Sequence, residues 1–194
     1  MLTYLLSAFD GPAAAFMYAL LAVLAFAMAV TIERAVSLSR FRVDGTAAVA
    51  RALSGGAMGE TPLERVLAEG MTQADPELSA EAMMAAAVEA ELRVRRRVAY
   101  LSTVASIATM IGLFGTVYGL ILAFGAMGDV GAAERAARLS QGTSTSMATT
   151  AFGLLVAIPA LVAHAIIDGI ARERLGEIEA AASRFLVGRK AARL

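Results

Sequence analysis

The sequence predicts an all-α integral membrane protein, with three transmembrane helices, long cytoplasmic helical extensions and the N-terminus outside. Three observations predict it. Apolar residues make up 58% of the 194, and mean hydropathy is +0.67, above the ~45–50% apolar share of an ordinary globular domain. Residues 11–32, 98–128 and 139–167 form runs of 22, 31 and 29 residues without a charge, each longer than the ~20 that a helix needs to cross the hydrocarbon. Cations are distributed unevenly between the segments that join the runs.

The first run predicts a span because backbone groups in lipid must be satisfied within the segment. The residues before it lack the basic region of a signal peptide and no cleavage pattern follows it, so it reads as a retained span. Nine arginines lie in 34–97 and six cations follow the third run, but only Arg135 and Arg138 lie in 129–138 and none in the first ten residues. Positive charge stays inside, which places 34–97 and the tail in the cytoplasm. The resulting order is 1–33 periplasmic N-terminus and first span, 34–97 cytoplasmic helical region, 98–128 second span, 129–138 periplasmic loop, 139–168 third span and 169–194 cytoplasmic helical tail.

Within 34–97, breaks at Gly55-Gly56, Gly59 and Asp75-Pro76 predict helices over about 45–53 and 62–72 and a longer one from Pro76, where Pro and Glu suit a first turn. Glu89–Arg93 and Glu91–Arg95 are i,i+4 pairs, and the helix is expected to run through Arg93, Arg95, Arg96 and Arg97 into the second span. That basic cluster reads as an interfacial anchor rather than a nucleic-acid site.

Gly112, Gly115 and Gly119 share one face of the second span, where small residues let a second backbone approach closely; Thr116 lies beside them. The third span opens with six hydroxyl residues in the eight positions 143–150. At 100° per residue, Thr143, Ser146 and Thr150 form one stripe and Thr145 and Thr149 an adjoining one. A face this polar meets water or a polar helix, or bonds back to its own carbonyls. Gly153 continues the packing surface, and Pro159 frees the carbonyl of Leu155 and permits a bend. His164 reads as interfacial.

Several functions are excluded or unsupported. Zero formal net charge argues against nucleic-acid binding. The chain has no cysteine and one histidine, so no metal site is expected, and no nucleophile–base pair marks an enzyme. No internal inverted repeat points to a solute transporter. No Asp, Glu, Lys or Arg lies within the three runs, although ion carriers in membranes generally use an ionisable group at depth. A carboxylate, if one is used, must come from a second protein.

The stretches IGLFGTVYGLILAF (111–124) and TTAFGLLVAIPALVAHA (149–165) resemble those of the ExbB/TolQ/MotA proton-channel family. Three spans, the loop after the first and the helical tail are similar to its ExbB/TolQ branch, over roughly residues 10–185. The resemblance implies a homopentamer in the bacterial inner membrane whose second and third helices line a pore. It also implies an enclosed ExbD/TolR-like single-span dimer that supplies a membrane Asp. Thr116 and Thr150 match the family's pore threonines, and Thr145 and Thr149 would line the same path. Thr145 stands where ExbB and TolQ proper carry a glutamate. The implied function is a pore-forming subunit of an ion-driven motor energising import, constriction or motility. It would hold no cofactor and translocate H+, with Na+ as the alternative; a non-conducting scaffold is the competing reading.

Overall fold

A computed structural model describes residues 9, 13–41, 44–125 and 131–192. The regular structure among them is entirely helical: α1 Ala14–Arg40, α2 Gly45–Leu53, α3 Pro62–Thr72, α4 Pro76–Arg95, α5 Val98–Gly125 and α6 Ala132–Ala191. The chain divides into a membrane unit, residues up to Ile32 with Ala99–Ala165, and a polar unit, Glu33–Val98 with the residues from Ile166 onward.

Three helices of the described chain are long and apolar enough to cross a membrane, contributed by α1, α5 and α6. The 60 residues of α6 extend roughly 90 Å at 1.5 Å per residue, so most of that helix must lie outside the hydrocarbon. It continues through Pro159. The periplasmic loop expected over 129–138 is helical from Ala132 onward. Alanine-rich composition and the Glu134–Arg138 pair at i,i+4 sustain these first turns, which are exposed on every side. Residues 129 and 130 lie outside the described part.

The polar unit is built by local punctuation. Asp44 caps α2, its carboxylate accepting from the amides of Thr46 at 3.0 Å and Ala47 at 3.4 Å and from the Thr46 hydroxyl. The hydroxyl and the two amides hold its pKa below the ordinary value. Asp75 and Pro76 open α4 as their residue types dictate. A core forms where α2, α3, α4 and the tail of α6 meet, around Val66, Leu67, Met83 and Phe185. Each such side chain contributes about 1.5–3 kcal/mol on burial. Gly70 lets these side chains close in: a Cβ there would stand 2.8 Å from Met83 Cγ and 3.0 Å from Phe185 Cε1, and they would have to shift. Arg189 ties the tail down: it donates to Gly70 O at 2.8 Å and to the buried Ser79 hydroxyl at 3.2 Å.

Thr61 caps α3 and couples that unit to pH. Its hydroxyl donates to Glu64 Oε2 at 2.7 Å and accepts from the Glu64 amide at 3.3 Å, while Arg51 pairs with Glu64 at 3.2 Å. The Thr61 hydroxyl, and after it the Thr61 amide contact and Arg51, hold the Glu64 pKa below 4.5 against the opposing effect of burial. A lowered folded-state pKa adds stability that is complete above the unfolded value and is lost as pH falls through the folded one. Glu64→Gln is therefore expected to flatten acid unfolding of the polar unit below pH 4.5. Thr61→Ala should cost about 1 kcal/mol at neutral pH. Circular dichroism melts across pH check both, and an unaltered acid limb in Glu64→Gln would refute the assignment.

The sequence expectation of one helix through the basic cluster is corrected. The helix stops at Arg95 and restarts at Val98, with Arg97 in the left-handed region at φ 64°, a conformation that costs a non-glycine residue roughly 1–2 kcal/mol. Tertiary ion pairs oppose that cost. Arg97 Nη1 donates to both carboxylate oxygens of Glu33, at 2.7 and 2.8 Å, and Arg95 reaches Asp168 at 3.8 Å. The expected Glu89–Arg93 and Glu91–Arg95 pairs are present at 3.8 and 3.2 Å.

Candidate functional site

Within the membrane unit, α5 and α6 meet along a seam of small residues. A Cβ on Gly112 would stand 3.3 Å from Gly153 Cα, one on Gly115 2.6 Å from Thr149 Cβ, and one on Gly119 2.9 Å from Gly142 O. From the other helix, a Cβ on Gly153 would stand 3.0 Å from both Ala108 O and Gly112 Cα. The two backbones touch, as packing in lipid without a hydrophobic driving force favours. The seam decides which way every hydroxyl beside it points.

Thr149 lies in the seam. It is fully buried and its hydroxyl donates to its own helix, to Thr145 O at 3.1 Å and Ser146 O at 3.0 Å. The sequence reading grouped it with the pore residues; inside one chain it reaches no surface, because Gly115 brings α5 against it. Ser146 is buried beside it and bridges the helices, donating to Gly142 O at 2.9 Å and Thr116 O at 3.0 Å.

Thr116 and Thr150 flank the seam on one side and are both half-buried. Thr116 donates to Leu113 O at 2.5 Å and Thr150 to Gly112 O at 3.4 Å. Thr145 is half-buried too but belongs to the opposite flank. At helical spacing it shares a face with Phe152 and Pro159, and that face meets the first span. Phe152 packs edge-on against Phe9, which packs on Tyr18 of α1, and Pro159 lines a cleft with Leu24, Ala27 and Met28. On α5 the same flank carries Phe114 and Tyr118, both against Phe16. The first span thus covers one side of the α5–α6 pair, and Thr116 and Thr150 occupy the other.

The uncovered side carries further hydroxyls that motif reading overlooked. Ser102, Ser106, Thr109 and Thr116 recur at i, i+4, i+7 and i+14 along α5, a spacing that returns to one face. Ser106 and Thr109 donate to Ser102 O at 3.1 Å and Ala105 O at 3.0 Å. The periodicity is legible in the sequence; large apolar residues between the hydroxyls masked it.

A threonine that donates its proton to a backbone carbonyl keeps its oxygen lone pairs free to accept. The uncovered face therefore presents oxygen lone pairs that can accept from water or a protonated carboxyl group, or ligate a bare cation. Among the described residues no group of three His, Cys, Asp or Glu could hold a metal ion.

The sequence profile of the MotA/TolQ/ExbB proton channel family matches residues 58–180. The Tol-Pal system protein TolQ of Haemophilus influenzae is 42% identical over 72 residues, 37% of this chain and 31% of the relative. The biopolymer transport protein ExbB of Aquifex aeolicus is 34% identical over 90 residues, 46% of this chain and 60% of the relative. An ExbB-like protein of Synechocystis is 32% identical over 112 residues, 57% of this chain and 44% of the relative. The chain spans between 31% and 60% of the length of these relatives.

Proposed function

We propose that this chain, which belongs to the MotA/TolQ/ExbB proton channel family, is the pore-forming subunit of an ion-driven motor in the bacterial inner membrane. The observation that carries the reading is a hydroxyl face left uncovered by the first span, in three spans whose charge-free runs contain no Asp, Glu, Lys or Arg. Five copies would turn that face, with Thr116 and Thr150, toward a common axis. Thr145 sits on the α1 side and Thr149 within the seam, so their role in this reading is packing.

A titrating group is then needed in the lumen. An ExbD/TolR-type dimer with one span per chain supplies it as a membrane aspartate. When protonated, that acid donates to the threonine oxygens; when ionised, it is met by water held on them. Alternation between these states moves a proton down its gradient and turns one component against the other, energising an envelope process such as import, constriction or motility. The N-terminus faces the periplasm, and the arginine-rich polar unit the cytoplasm. No bound cofactor is required, and the ion is cargo: H+, with Na+ the alternative that the same oxygens could ligate.

A non-conducting scaffold has one observation in its favour, since Thr116 and Thr150 already bond to backbone carbonyls within the chain. Changing the partner's membrane Asp to Asn separates the two. Loss of envelope work, with the complex still assembling in pull-down, is expected of a motor. Undiminished work in that variant would overturn the motor and leave the scaffold.

A further inference from the structure

The polar residues beside the seam keep a step of seven on both helices. On α5 the row is Ser102, Thr109 and Thr116; on α6 it is Thr143, Thr150, Ala157 and His164. Such a step holds a row on one side of a helix that packs along another. The contacts of the seam fix how the two antiparallel rows interleave. A Cβ on Gly112 would stand 3.5 Å from Thr150 Cα, one on Gly153 would stand 3.0 Å from Ala108 O, and Thr150 donates to Gly112 O. Carried on at 1.5 Å per residue, that register sets Thr109 between the levels of Thr150 and Ala157, and Ser102 between those of Ala157 and His164. Ser106 comes level with Ala157 and supplies the hydroxyl that alanine lacks. From Thr116 to His164 a polar side chain therefore recurs at every turn of the pair, about 5 Å apart, a gap that one water molecule bridges.

The row ends on the chain's one histidine. His164 is half-buried and belongs, with every hydroxyl of the row, to the membrane unit. Its neighbour Ala163 lines the cleft with the first span, and His164 does not. One turn further along the same helix, Asp168 is already held by Arg172 at 2.9 Å and by Arg95 at 3.8 Å. Imidazole is the side chain that takes up and gives back a proton near neutrality, whereas hard metal cations favour oxygen ligands.

We propose that the ion path runs from Thr116 and Thr150 along this row to the cytoplasmic end of the spans, where His164 receives the ion, and that the ion is a proton. This inference rests on the pore reading above and deepens it. In the step at His164, one ring nitrogen takes a proton from a hydrated proton, an N–H bond forming as an O–H bond of that water breaks. The proton on the other nitrogen leaves to cytoplasmic water, and tautomer exchange returns the neutral ring.

Proton entry into vesicles carrying the chain with its partner, driven by an imposed membrane potential and followed with a pH-sensitive dye, tests the step. General acid–base groups contribute about a hundredfold or more, so His164→Gln is expected to lower the flux at least tenfold, with the melting temperature unchanged. Added imidazole is expected to restore much of that flux without raising the wild type's, which a packing role would not allow. His164→Asn serves as the second variant where the first does not assemble. Wild-type flux in the variant, or a loss that imidazole leaves untouched in an assembled complex, would overturn the assignment and leave the motor standing. Flux that requires sodium at fixed pH would overturn the proton. Absence of any ion flux in the wild-type complex would overturn the pore reading itself.

Discussion

Gly115→Val is expected to remove the folded protein from the membrane fraction, whereas Gly176→Ala is expected to stabilise it. The two substitutions add carbon to glycines of long helices, and the surroundings decide the sign. At Gly115 the first added carbon would fall 2.6 Å from Thr149 Cβ and 2.7 Å from its Oγ1. Thr149 cannot turn away: it is fully buried, stiff at χ1 and tied to two carbonyls of its own helix. Valine then adds two methyl groups where one atom already collides. Overpacking alone costs about 1–3 kcal/mol, and the helices must also separate along a seam that includes Gly112, Gly119, Gly142 and Gly153. Gly176 has no atom within 4 Å of a built Cβ, so alanine there recovers up to about 1 kcal/mol of helix propensity. Membrane expression and detergent melting temperature measure both. Wild-type levels of Gly115→Val would show that α5 and α6 do not touch as described.

The spans and the glycine seam were legible because each needs only one segment to be read. A charge-free run long enough for the bilayer admits one interpretation, and Gly112, Gly115 and Gly119 lie on one helical face by spacing alone. The helices at Gly45–Leu53 and Pro62–Thr72 were legible for the same reason, since Gly, Thr and Pro mark their ends. What spacing cannot reveal is the partner of a face. Thr145 and Thr150 are both half-buried hydroxyls of α6, and only the contacts of Phe152 and Pro159 with the first span set them on opposite sides. The break at Arg96–Arg97 was hidden similarly. Nothing local interrupts that helix, and the left-handed Arg97 answers to Glu33, 64 residues earlier. The stripe from Ser102 to Thr116 was visible in principle but lay in a span read for its glycines.

The division of hydroxyls between the two sides predicts a pattern of mutant effects that bulk polarity would not. Thr116→Val and Thr150→Val, reconstituted with the partner, are each expected to reduce ion flux about tenfold to a hundredfold. Valine matches threonine in shape, so the change removes an acceptor without opening a cavity. A hydrogen bond to a charged or ionisable group is worth about 1.5–3 kcal/mol, and 1.4 kcal/mol is a factor of ten in rate. Thr149→Val should leave flux within about twofold of wild type, since its hydroxyl serves only Thr145 O and Ser146 O inside the chain. Thr145→Val should also leave flux largely intact, because that side chain shares the face that meets α1. The double variant Thr116→Val/Thr150→Val should fold, as valine matches threonine in volume and only the long 3.4 Å bond from Thr150 to Gly112 O crosses the seam, and a normal melting temperature would verify that. Equal losses at all four positions would mean that the hydroxyls act by wetting the helix pair as a whole. Loss at Thr145 without loss at Thr150 would place the ion path on the side of the first span. Only loss confined to Thr116 and Thr150 fits a lumen on the uncovered side, where two acceptors per subunit face a path along which the three charge-free runs supply no carboxylate.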